Sequence, residues 1–314
     1  MEQTQHNAAK YAFFYMLSLV ALVFMALSTG MIIFQIINKY ITDVLEQYSA
    51  QFSSQQLKFA ISALLISSPI FYVTTRQIYK SLFSGALNKD SGVRKWLTYF
   101  ILLVAAIVVI GWLIGIVNSF LDGELTLKFI LKALTAIAIA VIIFTFYLYD
   151  IRREEIAGKQ DKVIRMYFFG SLAIVIIVFV IALLIVESPA ETRKRKLDNA
   201  IINNFSQIDS AMSNYYYDYQ KLPENLDNLV ADSDFLTEEY ILDPVTKEKF
   251  DYNIKDNNTY ELCANFQTSN KEDRDDYNYY NKAWLHDAGY QCLSQKVRLK
   301  DVVEPERIPV PVLD

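Results

Sequence analysis

The segment that decides the fold reads MYFFGSLAIVIIVFVIALLIV (166–186), then ESPAET (187–192), then RKRKLDNAIINNFSQIDSAMSNYYYDY (193–219). Its first part carries no charge and is long enough for an α-helix to cross a bilayer. Its last part places apolar residues three or four positions apart, which is the spacing of a helix with one apolar face. Members of this stripe are Leu197, Ile201, Phe205, Ile208, Met212, Tyr215 or Tyr216, and Tyr219. We therefore predict a membrane span that continues into an amphipathic helix.

The charges divide near residue 187. Of the 314 residues, 53% are hydrophobic and 21% are charged. Residues 1–186 hold 15 Lys and Arg against 10 Asp and Glu, whereas residues 187–314 hold 15 against 25. An acidic second half argues against a nucleic-acid partner, because phosphate binding needs a basic face. The composition predicts a membrane half followed by a water-soluble half.

Five apolar runs predict five membrane-spanning helices, at 11–38, 59–75, 96–121, 129–149 and 166–186. The second run is only just long enough to span and contains Pro69. A static kink at this proline and a gating hinge are both consistent with the sequence. If the second run were re-entrant, the orientation of everything after it would reverse.

Basic residues set the expected orientation. They gather in two loops, with Arg76, Lys80, Lys89, Arg94 and Lys95 in one and Arg152, Arg153, Lys159, Lys162 and Arg165 in the other. By the positive-inside rule these loops and the N-terminus are cytoplasmic, so five spans place the C-terminal half outside the inner membrane. The basic run at 193–196 opposes this, but long domains translocate largely regardless of charge.

The predicted organisation is a cytoplasmic tail (1–10), a four-helix transmembrane domain (11–155), a fifth transmembrane helix (166–187), an extracytoplasmic α+β domain (188–296) and a disordered tail (297–314). Within the α+β domain, alternation at 250–254 and 259–266 around the turn at 255–258 predicts an antiparallel hairpin. The polar, tyrosine-rich segment 268–280 is expected to be a surface loop.

Three phrases carry a resemblance in the first half: SGVRKWLTY (91–99), GELTLKF (123–129) and YLYDIRR (147–153). Through them, residues from about 11 to 155 resemble an uncharacterised bacterial membrane domain, a domain of unknown function. The resemblance implies four membrane helices and a bacterial source, and it implies nothing about activity.

A second resemblance rests on YQKLPENL (219–226), LDPVTKEKFDY (242–252) and TYELC (259–263). In their order, residues from about 170 to 266 resemble a type IV pilin or a type II secretion pseudopilin: an apolar helix, an amphipathic helix and a small sheet. The family's glutamate near the start of the apolar helix is missing from MYFFGSLAI (166–174), and four spans come before it. We therefore expect a pilin-like head that stays tethered and does not polymerise.

Cys263 and Cys292 are the two cysteines, and both lie in the second half. In an oxidising compartment they are expected to form a disulfide. The alternatives are two free buried thiols, or a reactive cysteine assisted by His286.

Gly111 and Gly115 form a small-xxx-small pair in the third span, which lets another helix approach closely. We expect this neighbour to be a span of the same chain. The alternative is a homo-oligomer that uses the pair as its interface.

Glu272, Asp273, Asp275 and Asp276 form an acidic run that offers oxygen ligands of the kind calcium prefers. Some pseudopilin heads bind calcium in a comparable loop, but the spacing matches no specific calcium motif, so a solvated loop is the expectation. His6 and His286 are the only histidines, which argues against histidine-based metal catalysis. We expect no cofactor and no enzymatic activity.

The functional expectation is a non-enzymatic integral membrane protein of the bacterial envelope. Its membrane half would contact lipid, and its outer domain would bind a partner protein. One alternative is an accessory component of a pilus or secretion apparatus. The other is a transporter of a small neutral or apolar solute, although the apolar spans contain none of the acidic, arginine or histidine residues that ion pathways use.

Overall fold

The computed structural model describes residues 2–41, 52–84, 91–153, 161–271 and 282–297. The chain forms two compact units, Met1–Val186 and Glu187–Asp314, called here the first and second units. Each has its own apolar core.

The first unit contains five helices: α1 Glu2–Tyr40, α2 Ser54–Phe83, α3 Gly92–Leu121, α4 Leu127–Arg152 and α5 Lys162–Ile185. All five are long and apolar enough to cross a membrane, which confirms the five predicted spans at the level of length and composition. The second helix has 30 residues and continues through Pro69. The residues predicted as a cytoplasmic tail (1–10) continue the first helix in the structure, since α1 is helical from Glu2 onward, and its candidate span begins at Lys10.

Side-chain caps start three of these helices. Ser53 accepts a hydrogen bond from the Gln56 N–H at the start of α2, and Thr126 accepts one from Phe129 at the start of α4. Asp161 accepts one from Val163 at the start of α5. Each cap satisfies a backbone donor that the first helical turn leaves unpaired.

α1 is the central helix of the first unit, because it packs along α2 and also contacts α3, α4 and α5. Gln35 joins α1 to the start of α2, donating to Gln56 Oε1 at 2.8 Å and accepting from the Ser53 N–H at 2.7 Å. Tyr72 of α2 donates to Ser171 of α5 at 3.1 Å. Many large apolar side chains point away from this core, as expected of a surface solvated by lipid; examples are Leu103, Ile107, Ile114, Ile177 and Leu184.

The second unit contains α6 Pro189–Tyr219, α7 Leu226–Asp232, and the strands β1 Asp251–Asp256, β2 Thr259–Phe266 and β3 Gly289–Lys296. The amphipathic helix begins about one turn before the predicted start at 193. Ser188 caps it by accepting from the Glu191 N–H, and Pro189 takes the first helical turn, where it needs no amide hydrogen. The helix ends at Tyr219, where Gln220 turns the chain with a positive φ of 54°.

The strands form one antiparallel sheet in the order β1-β2-β3. The predicted hairpin corresponds to β1 and β2, but the prediction omitted β3. The segment GYQCLSQK (289–296) is polar and buries only Leu293 fully, so it lacks the apolar alternation that marks a strand. In the sheet, β3 pairs with β2 and places Cys292 directly opposite Cys263.

The apolar face of α6 packs on the sheet to form the core of the second unit. Phe205 is completely buried, and its ring contacts those of Phe250, Phe266 and Trp284. Burial of such a side chain stabilises the fold by roughly 1.5–3 kcal/mol. The predicted stripe holds in the middle of the helix and fails at its C-terminal end, where Tyr219 is 50% exposed.

Candidate functional site: a buried arginine–aspartate cluster

Arg94 and Asp150, which are 56 residues apart in the chain, form a buried ion pair. Arg94 lies in the first turn of α3 and Asp150 in the last turn of α4, and their side chains are 4% and 7% exposed. Arg94 Nη2 donates to Asp150 Oδ2 at 2.9 Å and to the Asp150 carbonyl oxygen at 2.9 Å. One guanidinium therefore ties the end of one span to the start of another.

Arg153 and Asp161 extend this pair into a cluster of four charges. Arg153 Nη2 lies 3.0 Å from Asp150 Oδ1, and its Nη1 lies 3.5 Å from Asp161 Oδ2. Tyr149 donates to the same Asp161 oxygen at 2.9 Å. The arginine–aspartate cluster (Arg94, Asp150, Arg153 and Asp161) thus connects α3, α4 and α5, with two positive charges facing two negative ones.

The positions of these charges follow from the helix ends. A carboxylate in the last turn of α4 faces the negative end of the helix dipole, so Asp150 needs cations close by. Asp161 precedes α5, where the dipole favours an anion. Burial tends to raise the pKa of Asp161, but hydrogen bonds from Tyr149, the Val163 N–H and Arg153 outweigh it and lower the pKa.

Aromatic side chains enclose the cluster. The guanidinium carbon of Arg153 lies 5.8 Å from the ring centre of Tyr79 on α2, a cation–π distance. A cavity of about 30 Å³ adjoins the ion pair, lined by Tyr15, Tyr79 and Tyr147 among others. The Tyr15 hydroxyl is buried without a hydrogen-bond partner among the described residues. This volume is enough for one or two water molecules.

The chemistry of the cluster is that of an electrostatic connection. Both carboxylate oxygens of Asp150 accept hydrogen bonds from guanidinium groups. Removing one member of a buried pair leaves an uncompensated charge in an apolar environment, which costs far more than the pair contributes net. The cluster therefore specifies which helix ends meet at this end of the unit.

Arg94 and Arg153 were predicted as members of two basic loops, and Asp150 was given no role. In the structure all three side chains are more than 90% buried. One feature of the sequence could have identified Asp150 as part of an ion pair. Asp150 is a carboxylate flanked by two aromatics and two arginines in YLYDIRR (147–153). An acidic residue at the end of an apolar run, beside a predicted basic loop, predicts an ion pair with a nearby arginine or lysine.

The structure joins Cys263 and Cys292 in a disulfide, which confirms the predicted pairing and excludes the reactive-cysteine alternative in this state. The bridge crosses β2 and β3, on the face of the sheet opposite α6, where Cys263 alternates with the core residues Leu262 and Ala264.

The two glycines of the third span have different surroundings. A Cβ atom at Gly115 would lie 3.4 Å from Cζ of Phe129 on α4, whereas at Gly111 no atom of the described structure lies within 4 Å. Gly115 therefore makes room for an aromatic ring of the neighbouring span. Glu272, Asp273, Asp275 and Asp276 lie outside the described residues, as does the predicted tail from 298 onward.

The second unit also buries a carboxylate. Asp198 of α6 is 2% exposed and accepts hydrogen bonds from the N–H groups of Gln267 and Thr268, at 2.8 and 2.7 Å, and from the Thr268 hydroxyl at 2.6 Å. Asn270 is buried and donates to the Trp284 carbonyl oxygen. The predicted surface loop at 268–280 is therefore wrong at its start, because its first residues are hydrogen-bonded into the fold.

Residues 11–147 match the model of a family described as a domain of unknown function (DUF5671). The match contains Arg94, ends shortly before Asp150, and does not extend into the second unit. No curated protein and no solved structure is significantly similar to the chain. The chain is an integral membrane protein by its five apolar helices, and a domain of unknown function covers most of its first four spans.

Proposed function

We propose that this chain is a non-enzymatic protein of the bacterial inner membrane that holds its second unit outside the cytoplasm to bind a partner protein. The observation that carries the proposal is the Cys263–Cys292 disulfide, because disulfides persist in oxidising compartments. It agrees with the orientation expected from the basic loops. Exposed basic side chains stand near the helix ends that hold the arginine–aspartate cluster, among them Arg76, Lys80, Lys95, Arg152 and Lys162.

The topology is tested by reporter fusions. Alkaline phosphatase, which needs an oxidising compartment, is fused after Val297, and a matched fusion is placed directly after Arg153. The proposal expects enzyme activity from the first fusion and none from the second. The reverse result, or two free thiols in the unreduced membrane protein, would contradict it.

Partner binding is supported by aromatic side chains at the C-terminal end of α6. Tyr217 is 62% exposed, and Tyr219 is 50% exposed with its ring 4.6 Å from that of Tyr215. Tyrosine is enriched at protein interfaces. A photo-crosslinking residue at Tyr217 is expected to give one dominant adduct in native membranes, whereas the same residue at Asn257, an exposed turn position, gives none.

A second function is an accessory role in a pilus or secretion apparatus with a pilin-like second unit. It is favoured by the order of elements, in which an apolar helix precedes an amphipathic helix whose apolar face packs on an antiparallel sheet. The test is co-purification with the host's pilus or secretion assembly proteins after mild crosslinking. A host that lacks such genes would exclude this role.

A third function, transport of a small neutral or apolar solute, draws on the apolar space of about 350 Å³ between α1, α3 and α4. Its lining includes Gly30, Ala136 and Ala140, whose small size leaves this room. Solute uptake by vesicles containing the purified chain would support transport, and uptake equal to that of empty vesicles would exclude it.

A further inference from the structure

A recess on α4 holds a cation that the arginine–aspartate cluster does not use. Thr145, Leu148, Tyr149, Arg152 and Arg153 line this open recess, whose volume is about 460 Å³. Arg153 already forms ion pairs with Asp150 and Asp161. Arg152 is exposed and forms no ion pair with any described residue. The recess therefore contains one guanidinium, at the end of a membrane span, that no carboxylate of the described residues pairs with.

An apolar crevice lies beside this recess. It occupies about 130 Å³ between α1, α2, α4 and α5, and Phe71, Ile143 and Ile174 are among its lining residues. Tyr167 lines the crevice and donates a hydrogen bond at 3.2 Å to Thr145, which lines the recess. The two spaces are thus neighbours, separated by the contact of these two side chains.

This combination fits one class of ligand. A cavity of about 150 Å³ takes an apolar group the size of benzene, so the crevice has room for a segment of one acyl chain. A basic recess at the end of a membrane helix, where further basic residues gather, attracts anionic headgroups. The guanidinium of Arg152 presents a fork of N–H donors that matches a phosphate.

We propose that Arg152 and the crevice together form a binding site for one anionic glycerophospholipid. The phosphate of the lipid contacts Arg152 in the recess, and a segment of an acyl chain enters the crevice between α4 and α5. The site differs from general lipid contact because it selects a headgroup charge at one position on the unit.

The experiment uses the full-length chain in micelles, with phosphatidylglycerol and phosphatidylcholine of identical acyl chains supplied in equal amounts. Native mass spectrometry counts the lipid that each variant retains. The wild type is expected to retain phosphatidylglycerol over phosphatidylcholine by about fivefold, and Arg152→Gln is expected to lose most of that preference. Lys80→Gln removes an exposed cation of α2 that lines neither space, and it should keep the preference.

The crevice is tested separately. Ile174 lines it and is 45% exposed, whereas Ile176 is 52% exposed and does not line it. Ile174→Trp should reduce the retention of phosphatidylglycerol, and Ile176→Trp should not. If Arg152→Gln does not give a monodisperse protein, the comparison of Ile174→Trp with Ile176→Trp tests the proposal instead.

Three results would overturn the proposal. They are equal retention of the two lipids by the wild type, an unchanged preference in Arg152→Gln, and unchanged retention in Ile174→Trp. Inorganic phosphate is added in a parallel sample. Loss of the lipid preference with millimolar phosphate alone would be a fourth such result, because the recess would then bind a free anion.

Discussion

Asp150 in the first unit and Asp198 in the second are both buried carboxylates, but their partners differ in kind. Asp150 lies between the guanidinium groups of Arg94 and Arg153. Asp198 accepts two backbone N–H groups and one hydroxyl, all from Gln267 and Thr268. The first carboxylate is balanced by two full charges, one from α3 and one from the end of its own helix, and the second by dipoles at the end of one strand.

This difference in partners predicts how much stability each site loses when its carboxylate is removed. Without its carboxylate, the site of Asp150 keeps two buried cations against the single carboxylate of Asp161, and an excess charge in a low-dielectric environment is expensive. Without its carboxylate, the site of Asp198 keeps only unpaired donors, whose desolvation costs less. The substitutions that follow test this comparison, beginning with the largest expected effect.

Asp150→Asn is expected to destabilise the first unit by about 3–5 kcal/mol, because it removes the buried carboxylate that both Arg94 and Arg153 contact. The measurement is unfolding of the full chain in mixed micelles with increasing sodium dodecyl sulfate. Asp122→Asn, which changes an exposed carboxylate at the end of α3, is the control and should have almost no effect. The double substitution Arg94→Gln with Asp150→Asn should recover part of the loss. A loss below 1 kcal/mol would show that lipid headgroups or water solvate the cluster.

Removing the disulfide by Cys263→Ser with Cys292→Ser is expected to destabilise the second unit by about 3–4 kcal/mol, from the entropy of the loop that the bridge closes. Proteolysis of the second unit across a urea series measures the change, with the detergent unfolding of the first unit as the internal reference. The first unit should not respond. A matching loss in the first unit would mean that the two units do not unfold independently.

Asp198→Asn is expected to destabilise the second unit by about 2 kcal/mol, because the amide cannot accept all three hydrogen bonds and directs N–H groups toward other donors. The same urea series measures it. Asp218→Asn, at an exposed position of the same helix, should change stability by less than about 0.5 kcal/mol. If the loss for Asp198 equals or exceeds that for Asp150, the proposed difference between charge and dipole partners is wrong.

The smallest effect is expected from His286, whose ring stacks on Phe266 and is 1% exposed. Burial lowers the pKa of this histidine, outweighing the carbonyl oxygen of Asp287 and the carboxylate of Asp198, which act to raise the pKa. The unfolded chain therefore binds a proton more readily than the folded one. Stability of the second unit should be complete above the ordinary histidine pKa of about 6.5 and fall as the pH drops below it, by at most about 1.4 kcal/mol per pH unit.

The histidine prediction is specific because His286 is the only histidine in residues 187–314. His286→Phe keeps a ring on Phe266 and removes the titrating group. Its urea midpoint should stay constant between pH 7 and pH 5.5, while that of the wild type decreases. An equal decrease in both would assign the pH dependence to carboxylates.

Local patterns predicted the elements that depend on neighbouring residues. Apolar runs predicted the five helices that are apolar enough to span a membrane, and the spacing from Ile201 to Met212 predicted the buried face of α6. The starts of α1 and α6 lie before the predicted ones because polar residues at Glu2 and at the Ser188 cap, which carry no hydrophobic pattern, begin these helices. Hydrophobic runs therefore locate the middle of an element and say little about its termini.

The candidate site was not predictable in the same way, since it depends on contacts between distant residues. Arg94 resembles any loop arginine until Asp150 is brought within 2.9 Å of it. The strand β3 was missed for a related reason: its pairing with β2 depends on backbone hydrogen bonds and on one disulfide, and neither leaves a pattern in eight mostly polar residues. Contacts between residues that are distant in the sequence can be identified only from the folded structure.

The bridge between β2 and β3 also determines how the second unit would respond to mechanical force. Cys263 and Cys292 are 29 residues apart in the chain, and an extended chain spans about 3.3–3.6 Å per residue. A load that unravels the unit from its ends therefore cannot release roughly 100 Å of that contour length while the bridge is intact. An oxidised second unit is a short tether under tension and a reduced one is a long tether, so the redox state of one bond sets how far the unit can extend.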